Sequence, residues 1–359
     1  MENPKSAQRK MPKPVIGITH GDINDASYEV LMDAFSDSRV FDFFTPIVYG
    51  SSKAASYYRK LLKREDFNFN LIKRADFAHT QRANIINITD KEIRIERGRA
   101  TEEAAKMGIL SLDLAINDLT EGLLDALVTF SVGSRVFRLA GTAFHALDEY
   151  LTSVMKTDDL FLFLVNDMLR VGFVTGHIPF REVLPKIRKE LVTKRIEQMH
   201  QSLQRDFGVV SPSIAVLALN PHCDVVNEMG AEEQQQIMPA IDHGKAAGIR
   251  VEGPFDAGRF FSSESYRKFD AVLAMYHNQG FLPMRTYAST NTTLCFCGLP
   301  FMVTQPVFDK KGGGLPRDPW VIERLRNAFF LAQTVVQNRK RYDAERPKRQ
   351  VPMYHDRRD

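Results

Sequence analysis

The sequence predicts an α/β fold in which parallel strands alternate with helices, built either as two domains or as one large body with two lobes. Three observations predict it. The composition is ordinary for a globular chain, 44% hydrophobic and 26% charged with 21 Gly and 17 Pro, which excludes wholesale disorder, a collagen and a coiled-coil rod. At 359 residues the chain is longer than one core usually supports. Short apolar runs of strand length alternate with amphipathic stretches of helical period, the pattern of sheets covered by helices on both faces.

The elements follow in chain order. Residues 14–19 (PVIGIT) are an apolar, β-branched run ending in His20-Gly21-Asp22, and Asp25 or Ser27 is placed to cap a helix reaching about Phe35. Residues 44–49 read as a second strand. Residues 101–119 put Ala105, Ile109, Leu112, Ile116 and Leu119 on one helical face, with a strand at 123–130 after the Gly122 stop. Residues 160–165 and 169–175 are paired strands around Asn166-Asp167. A helix at 193–207 ends at Gly208, a glycine suited to a helix C-terminus. A buried strand at 213–219 precedes a helix at 231–247, whose Glu232-Glu233 start suits the N-terminal dipole. A strand at 269–276 and an amphipathic helix at 321–336 complete the body, and no repeat or low-complexity block interrupts it.

Charge and cysteine content narrow the class. The net charge of +4 sits at the two ends: residues 1–13 carry +3 and residues 339–359 carry +4, leaving about −3 for the body. A nucleic-acid surface is usually a basic face on a folded domain, so nucleic-acid binding is not expected. No purely apolar run, that at 161–165 included, extends beyond six residues, which is too short to span a membrane. Residues 1–13 lack the apolar stretch of a signal peptide. Three cysteines, Cys223, Cys295 and Cys297, fit a reduced cytoplasmic protein better than a disulfide framework. The Cys295-x-Cys297 pair has no second pair beside it and reads as two small buried residues.

Ligands of α/β sheets bind beyond the carboxyl ends of strands, and three histidines occupy such places. His177 follows the strand to Thr175 in Val-Thr-Gly-His-Ile-Pro, His222 follows the strand to Leu219 in Leu-Asn-Pro-His, and His277 follows the strand to Tyr276 in Met-Tyr-His-Asn-Gln-Gly. If those strand ends share one edge, the three imidazoles meet on one divalent cation with a coordination position left for a substrate oxygen. The spacings, 45 and 55 residues, form no local metal motif, so three unrelated loop histidines are the alternative.

In order and spacing, these three segments resemble the metal-histidine segments of the 4-hydroxythreonine-4-phosphate dehydrogenase (PdxA) family of vitamin B6 (pyridoxine) biosynthesis. Ile16-Gly-Ile-Thr-His-Gly-Asp22, Tyr28-Glu29-Val30, Gly253-Pro254-Phe255 and Gly298-Leu299-Pro300-Phe301 also resemble family landmarks, and the likeness covers roughly residues 14–342. The resemblance implies an isocitrate/isopropylmalate dehydrogenase-like fold: two α/β/α lobes with a central cleft. The first lobe would comprise residues 14–140 with 300–342 and the second, carrying the metal histidines, residues 141–299; residues 1–13 and 343–359 would be flexible tails. It implies a homodimer sharing its metal site across the interface, with His177 and His222 from one chain and His277 from the other. The metal would be zinc, or magnesium or cobalt. The implied reaction is oxidation of a secondary alcohol by NAD, followed by decarboxylation of the 3-keto acid.

The departures from the family fall on the pocket. No glycine occurs in Ile23-Asn24-Asp25-Ala26-Ser27-Tyr28-Glu29, where the family turn is glycine-rich, so that turn is either strained or reshaped. Phe130-Ser131-Val132-Gly133-Ser134 lacks the family lysine. Gly141-Thr142-Ala143-Phe144 stands for Gly-His-Thr-Glu, with His145 out of register. Gly258 and Asn278 replace carboxylates, Leu294 and Val303 align with the phosphate-side Asn and Arg, and Arg285 replaces the phosphate-binding Lys. Lys310-Lys311-Gly312-Gly313-Gly314 replaces a further signature and reads as a flexible loop. The expectation is therefore a family dehydrogenase with an altered substrate or reduced activity. The alternatives are a catalytically silent paralogue acting as a binding or scaffold protein, and another metal-dependent enzyme on the same scaffold, such as a phosphate acyltransferase.

Overall fold

The computed structural model describes residues 13–221, 223, 229–287, 291–308 and 320–345. Among the described residues twelve strands form one sheet: β1 (Val15–Thr19), β2 (Thr45–Gly50), β3 (Asn70–Ile72), β4 (Asn84–Asn87), β5 (Ala126–Thr129), β6 (Phe161–Val165), β7 (Arg170–Phe173), β8 (Ser213–Leu217), β9 (Arg250–Phe255), β10 (Ala271–Ala274), β11 (Thr293–Cys297) and β12 (Met302–Pro306). Their order is β3-β4-β2-β1-β5-β12-β11-β6-β7-β10-β8-β9.

Two blocks of parallel strands run in opposite directions within this sheet. One is β3-β4-β2-β1-β5-β12 and the other β7-β10-β8-β9. The reversal occurs in the middle, where β11 pairs antiparallel with both β12 and β6, and β6 pairs antiparallel with β7. The β6–β7 hairpin is the one the sequence announces. Asn166 makes its turn, with Oδ1 accepting from the amides of Met168 and Leu169 at 2.9 and 2.8 Å. Strand ends therefore do not all converge on one edge: those of β7, β10 and β8 do, while β1, β5 and β12 end toward the other.

Period-two alternation sends side chains to two helix layers. On one face Ile16, Ile18, Val48, Val128, Ile214 and Val216 join Leu325, Phe329, Val192, Ile196 and Met199 in a core that runs under both blocks. This face is covered by the helices Val321–Glu345 and Lys189–Arg205. The C-terminal helix thus runs three residues into the segment expected to be a tail. On the other face there are two separate cores. Ile47, Tyr49 and Leu127 meet Leu112 and Ile116 of helix Glu102–Thr120; Ala215, Leu217 and Val272 meet Phe260, Phe261 and Met284. Between them the central strands present Leu162, Leu164, Leu294 and Phe296, and Leu162 and Leu294 pack against both cores. This gap in the helix cover is the cleft.

The first turn after β1 has changed shape rather than stored strain. Its one positive φ falls on Gly21 (67°), and the non-glycine residues with positive φ lie elsewhere, at Lys63, Lys156 and Glu264. An Asx turn replaces the glycine-rich one: Asp22 Oδ1 accepts from the Asn24 amide at 2.9 Å. Helix Ser27–Phe35 follows with no side-chain cap, so neither Asp25 nor Ser27 caps it. All three cysteines are buried, Cys295 and Cys297 as expected. No helix among the described residues is long and apolar enough to cross a membrane.

His20, at the end of β1, gives the fold an acid sensitivity. It is fully buried, stacked on Tyr28 with ring centroids 5.6 Å apart, and burial lowers its pKa from 6.5 to about 4. Between those two values the unfolded chain binds a proton that the folded one does not, so stability is held above pH 6.5 and falls as pH drops toward 4. From pH 7.5 to pH 5 the loss from this group is about 2 kcal/mol. Urea unfolding at the two pH values should show that extra loss in the wild type and not in His20→Phe; equal losses in both proteins would contradict it.

Candidate metal centre

His177 and His277 are brought together by the pairing of β7 with β10. The ladder continues beyond the strands: the Val174 and Thr175 amides donate to the carbonyls of Ala274 and Met275 at 2.8 and 3.2 Å. Thr175 Oγ1 donates to the Met275 carbonyl as well, at 2.9 Å. The two histidines leave these adjacent ends with ring centroids 5.0 Å apart and planes at 77°. A cation bound by one nitrogen of each ring at about 2.1 Å, with a tetrahedral angle between them, places ring centroids about 5 Å apart. The pair fits a divalent ion on that measure.

The Met-Tyr-His-Asn-Gln-Gly segment is built around His277. Its ring lies between Phe173 and Phe281, with centroids at 5.6 and 4.8 Å. Asn278 Oδ1, an acceptor only, lies 3.0 Å from His277 Nδ1 and accepts a hydrogen bond from it in the Nδ1–H tautomer, which leaves Nε2 with its lone pair for a metal. Burial lowers the His277 pKa, favouring the neutral imidazole that a cation needs. Gln279 Oε1 accepts from the Met275 amide at 2.7 Å and its Nε2 donates to the Ala218 carbonyl at 2.6 Å, tying this corner to the end of β8. Gly280 lets helix His277–Tyr287 approach β7, since a Cβ there would stand 2.5 Å from Val171 Cγ1.

The chain before His222 is also pinned. Glu233, fully buried, accepts from the Leu219 and Asn220 amides at 2.8 Å each. His222 itself lies outside the described residues, as does the Lys310–Gly314 loop. Among the described residues no third His, Cys, Asp or Glu joins the pair in metal-holding geometry. The resemblance assigns His177 and His277 to different subunits; the structure brings both together within one chain, because their strands are neighbours in the sheet.

The pair opens on a cleft of about 420 Å³. Its floor is the apolar face of the central strands, and its walls come from both blocks: Ser131–Ser134 after β5, Gln305–Phe308 at the end of β12, and Phe173 and Phe281 beside the histidines. Of the substituted family positions, residues 131–134 and Leu294 line it. Others are elsewhere. Thr142 Oγ1 donates to the Phe137 carbonyl, and Phe144 packs on Phe137 and Tyr150. Gly258 sits in helix Ala257–Ser262, capped by Asp256. Val303 is buried in the core on the same side as Leu127, with Gln305, two residues on, reaching the cleft instead. Arg285 does not line the cleft; its guanidinium lies 5.7 Å over the Phe281 ring, half-buried, and burial followed by the charge of Arg324 lowers its pKa.

Beyond residues 131–134, the next segment that faces the cleft is His145–Asp148, not 141–144. His145 is exposed at its edge, 3.6 Å from Glu149. Asp148 is the residue that sequence reading misses; burial raises its pKa, against the opposing pull of its own and the Glu149 amide and of His177. The signal for it was present as an acidic pair, Asp148-Glu149, opening helix Leu147–Met155.

Several known proteins are similar to this chain. The family described as pyridoxal phosphate biosynthetic protein PdxA matches residues 42–309. The 4-hydroxythreonine-4-phosphate dehydrogenase of Bacteroides thetaiotaomicron is 37% identical over 350 residues, 96% of this chain and 94% of that protein. The D-threonate 4-phosphate dehydrogenase of Cupriavidus necator is 30% identical over 329 residues, 89% of this chain and 97% of that protein. Among solved structures, a 4-hydroxythreonine-4-phosphate dehydrogenase from Burkholderia phymatum superposes with a TM-score of 0.74 at 26% identity, covering 89% of this chain and 99% of that one.

Proposed function

From the premise that this chain belongs to the PdxA family of pyridoxal phosphate biosynthetic proteins, we propose that it is a divalent-metal- and NAD-dependent dehydrogenase. Its substrate class is a small phosphorylated acid bearing a secondary alcohol, with 4-hydroxythreonine 4-phosphate the first compound to test. The observation that carries the reading is the His177–His277 pair, 5.0 Å apart at the mouth of a cleft floored by apolar strands. When bound, the metal supplies Lewis acidity toward the alcohol oxygen and NAD supplies the hydride acceptor. Imidazole donors favour zinc or cobalt over magnesium.

This chain's own residues have distinct parts in that proposal. His177 and His277 hold the ion, with His222 as third ligand, in a homodimer that shares its metal site. Asn278 fixes the tautomer of His277. The apolar floor excludes water from the reacting carbon. Arg285, two turns along the helix that His277 opens and stacked on the cleft-lining Phe281, is the anchor for a phosphate that reaches past the cleft wall. The lobes are residues 14–140 with 300–342, and 141–299, the division following the reversal of the sheet. The location is cytoplasmic.

The test is NADH formation on purified, metal-loaded protein beside a family member of established activity. Formation should stop on chelation and return with zinc or cobalt. Residues 131–134 without a lysine, and Leu294, remove two polar contacts from the cleft. At roughly 1.5–3 kcal/mol each, kcat/KM should fall about two to four powers of ten below the comparison enzyme. A rate within tenfold would contradict the altered pocket; no metal-dependent NADH at all would contradict the dehydrogenase and leave the scaffold reading.

A further inference from the structure

The helix that His277 opens carries a file of three flat side chains. His277, Phe281 and Arg285 recur at every fourth residue of helix His277–Tyr287, so they share one side of it with Phe281 in the middle. The imidazole and the Phe281 ring are stacked with centroids 4.8 Å apart, and the Arg285 guanidinium lies 5.7 Å over the same ring. End to end the file is about 10 Å long, close to the ~12 Å that eight residues of helix rise. His277 and Phe281 line the cleft and Arg285 does not. Among the described residues that line the cleft there is no Lys or Arg, and a phosphate held by Arg285 lies beyond the Phe281 ring.

A metal bound to His277 lies in the plane of that ring and keeps the alcohol oxygen at its end of the file. A phosphate on Arg285 is held by hydrogen bonds of about 2.8 Å and stays at the other end. The alcohol oxygen and phosphorus are then about 8–10 Å apart. In 4-hydroxythreonine 4-phosphate four single bonds of about 1.5 Å link those two atoms and reach only about 5 Å when extended. Resting on the reading above, we infer that the substrate is longer than that compound: a phosphate monoester whose secondary alcohol stands about four backbone atoms farther from phosphorus, across an apolar alkyl or aryl spacer. The spacer lies against Phe281 among Phe173, Leu164 and Leu294, where each buried methylene adds roughly three- to fourfold in affinity. Phe281 is the specificity-determining side chain that sets the length. The apolar cleft and the screened arginine then have one explanation: a short hydrophilic phosphate meets one end of the site, and a long one meets both.

The experiment is a length series on the full chain: 2-hydroxypropyl phosphate, which has the alcohol-to-phosphate spacing of 4-hydroxythreonine 4-phosphate, then 4-hydroxypentyl, 6-hydroxyheptyl and 8-hydroxynonyl phosphate. Kd is measured by calorimetry on metal-loaded protein without NAD, and NADH formation is followed separately. Kd should tighten roughly a hundredfold from the shortest compound to 6-hydroxyheptyl phosphate and gain no more beyond it. Arg285→Ala should weaken the 6-hydroxyheptyl compound about ten- to a hundredfold and the shortest one less than twofold, with metal content and the Kd of NAD unchanged. Equal Kd along the series, or an Arg285→Ala loss shared by every length, overturns the inference. A loss that falls on NAD instead assigns Arg285 to the dinucleotide and overturns it too. A length optimum in Kd with no NADH from any compound, 4-hydroxythreonine 4-phosphate included, overturns the dehydrogenase reading and leaves the inferred length standing, so the two failures are distinct.

Discussion

His277→Ala is expected to lower metal-dependent kcat/KM by about a thousandfold or more and to abolish stoichiometric metal binding. Lewis-acid polarisation of an alcohol oxygen is worth several kcal/mol, and each 1.36 kcal/mol is a factor of ten. The ring cannot be replaced by a neighbour, because among the described residues no other His, Cys, Asp or Glu forms a metal-holding group with His177. Asn278→Ala provides the graded control: it removes the acceptor 3.0 Å from Nδ1 and should weaken metal binding by about 10- to 100-fold without abolishing it. Metal content by atomic absorption and NADH formation read both variants. A His277→Ala protein that keeps one ion per site and a rate within tenfold of wild type would contradict the assignment.

The largest effect on stability is expected at the opposite side of the molecule. Asp206 and Arg339 form a buried ion pair, Nε to Oδ1 2.6 Å, with side chains only 4% and 9% exposed. Arg339 Nη1 also donates to the Leu299 carbonyl at 3.2 Å, and Ser202 Oγ donates to the other Asp206 oxygen. The pair ties helix Val321–Glu345 to the end of helix Lys189–Arg205 and to the β11–β12 turn. Asp206→Ala strands the guanidinium without its counter-charge, which costs about 3–5 kcal/mol. Replacing both partners, as Asp206→Leu with Arg339→Met, should recover most of that loss, because two apolar side chains need no mutual charge compensation. Urea unfolding of the single and double variants measures it; a double variant no more stable than Asp206→Ala would show that the loss comes from packing and not from the orphaned charge.

What the sequence discloses, and what it hides, follows from the range of the interactions. Helix Glu102–Thr120 and the β6–β7 hairpin were legible because their signals are local: one apolar stripe at helical period, and an Asn-Asp turn between two apolar runs. β11 and β12 were not read as strands, since runs of five residues broken by Gly298-Leu299-Pro300 carry little periodicity. Yet they place the antiparallel pairing that reverses the sheet, so the opposite directions of the two blocks stayed hidden with them. The 5.0 Å approach of the His177 and His277 rings within one chain was not legible, because which strands are neighbours is set by long-range pairing. Asp148 stayed hidden because it lies in segment 145–148, four residues beyond the motif position at 141–144, and no local signal sets which of the two faces the cleft. Four substituted positions, Thr142, Ala143, Gly258 and Val303, read as pocket losses from alignment and lie away from the cleft lining in the fold.

The central claim, that one chain supplies His177 and His277 to a single divalent ion, is tested most directly by crystals of the cobalt-loaded protein and the anomalous density at the cobalt edge. The account predicts one peak per site about 2.1 Å from a nitrogen of each of these two rings, both belonging to the same chain, with His222 completing the set. No peak between the two rings, or a peak whose two imidazoles at these positions come from different chains, would contradict it.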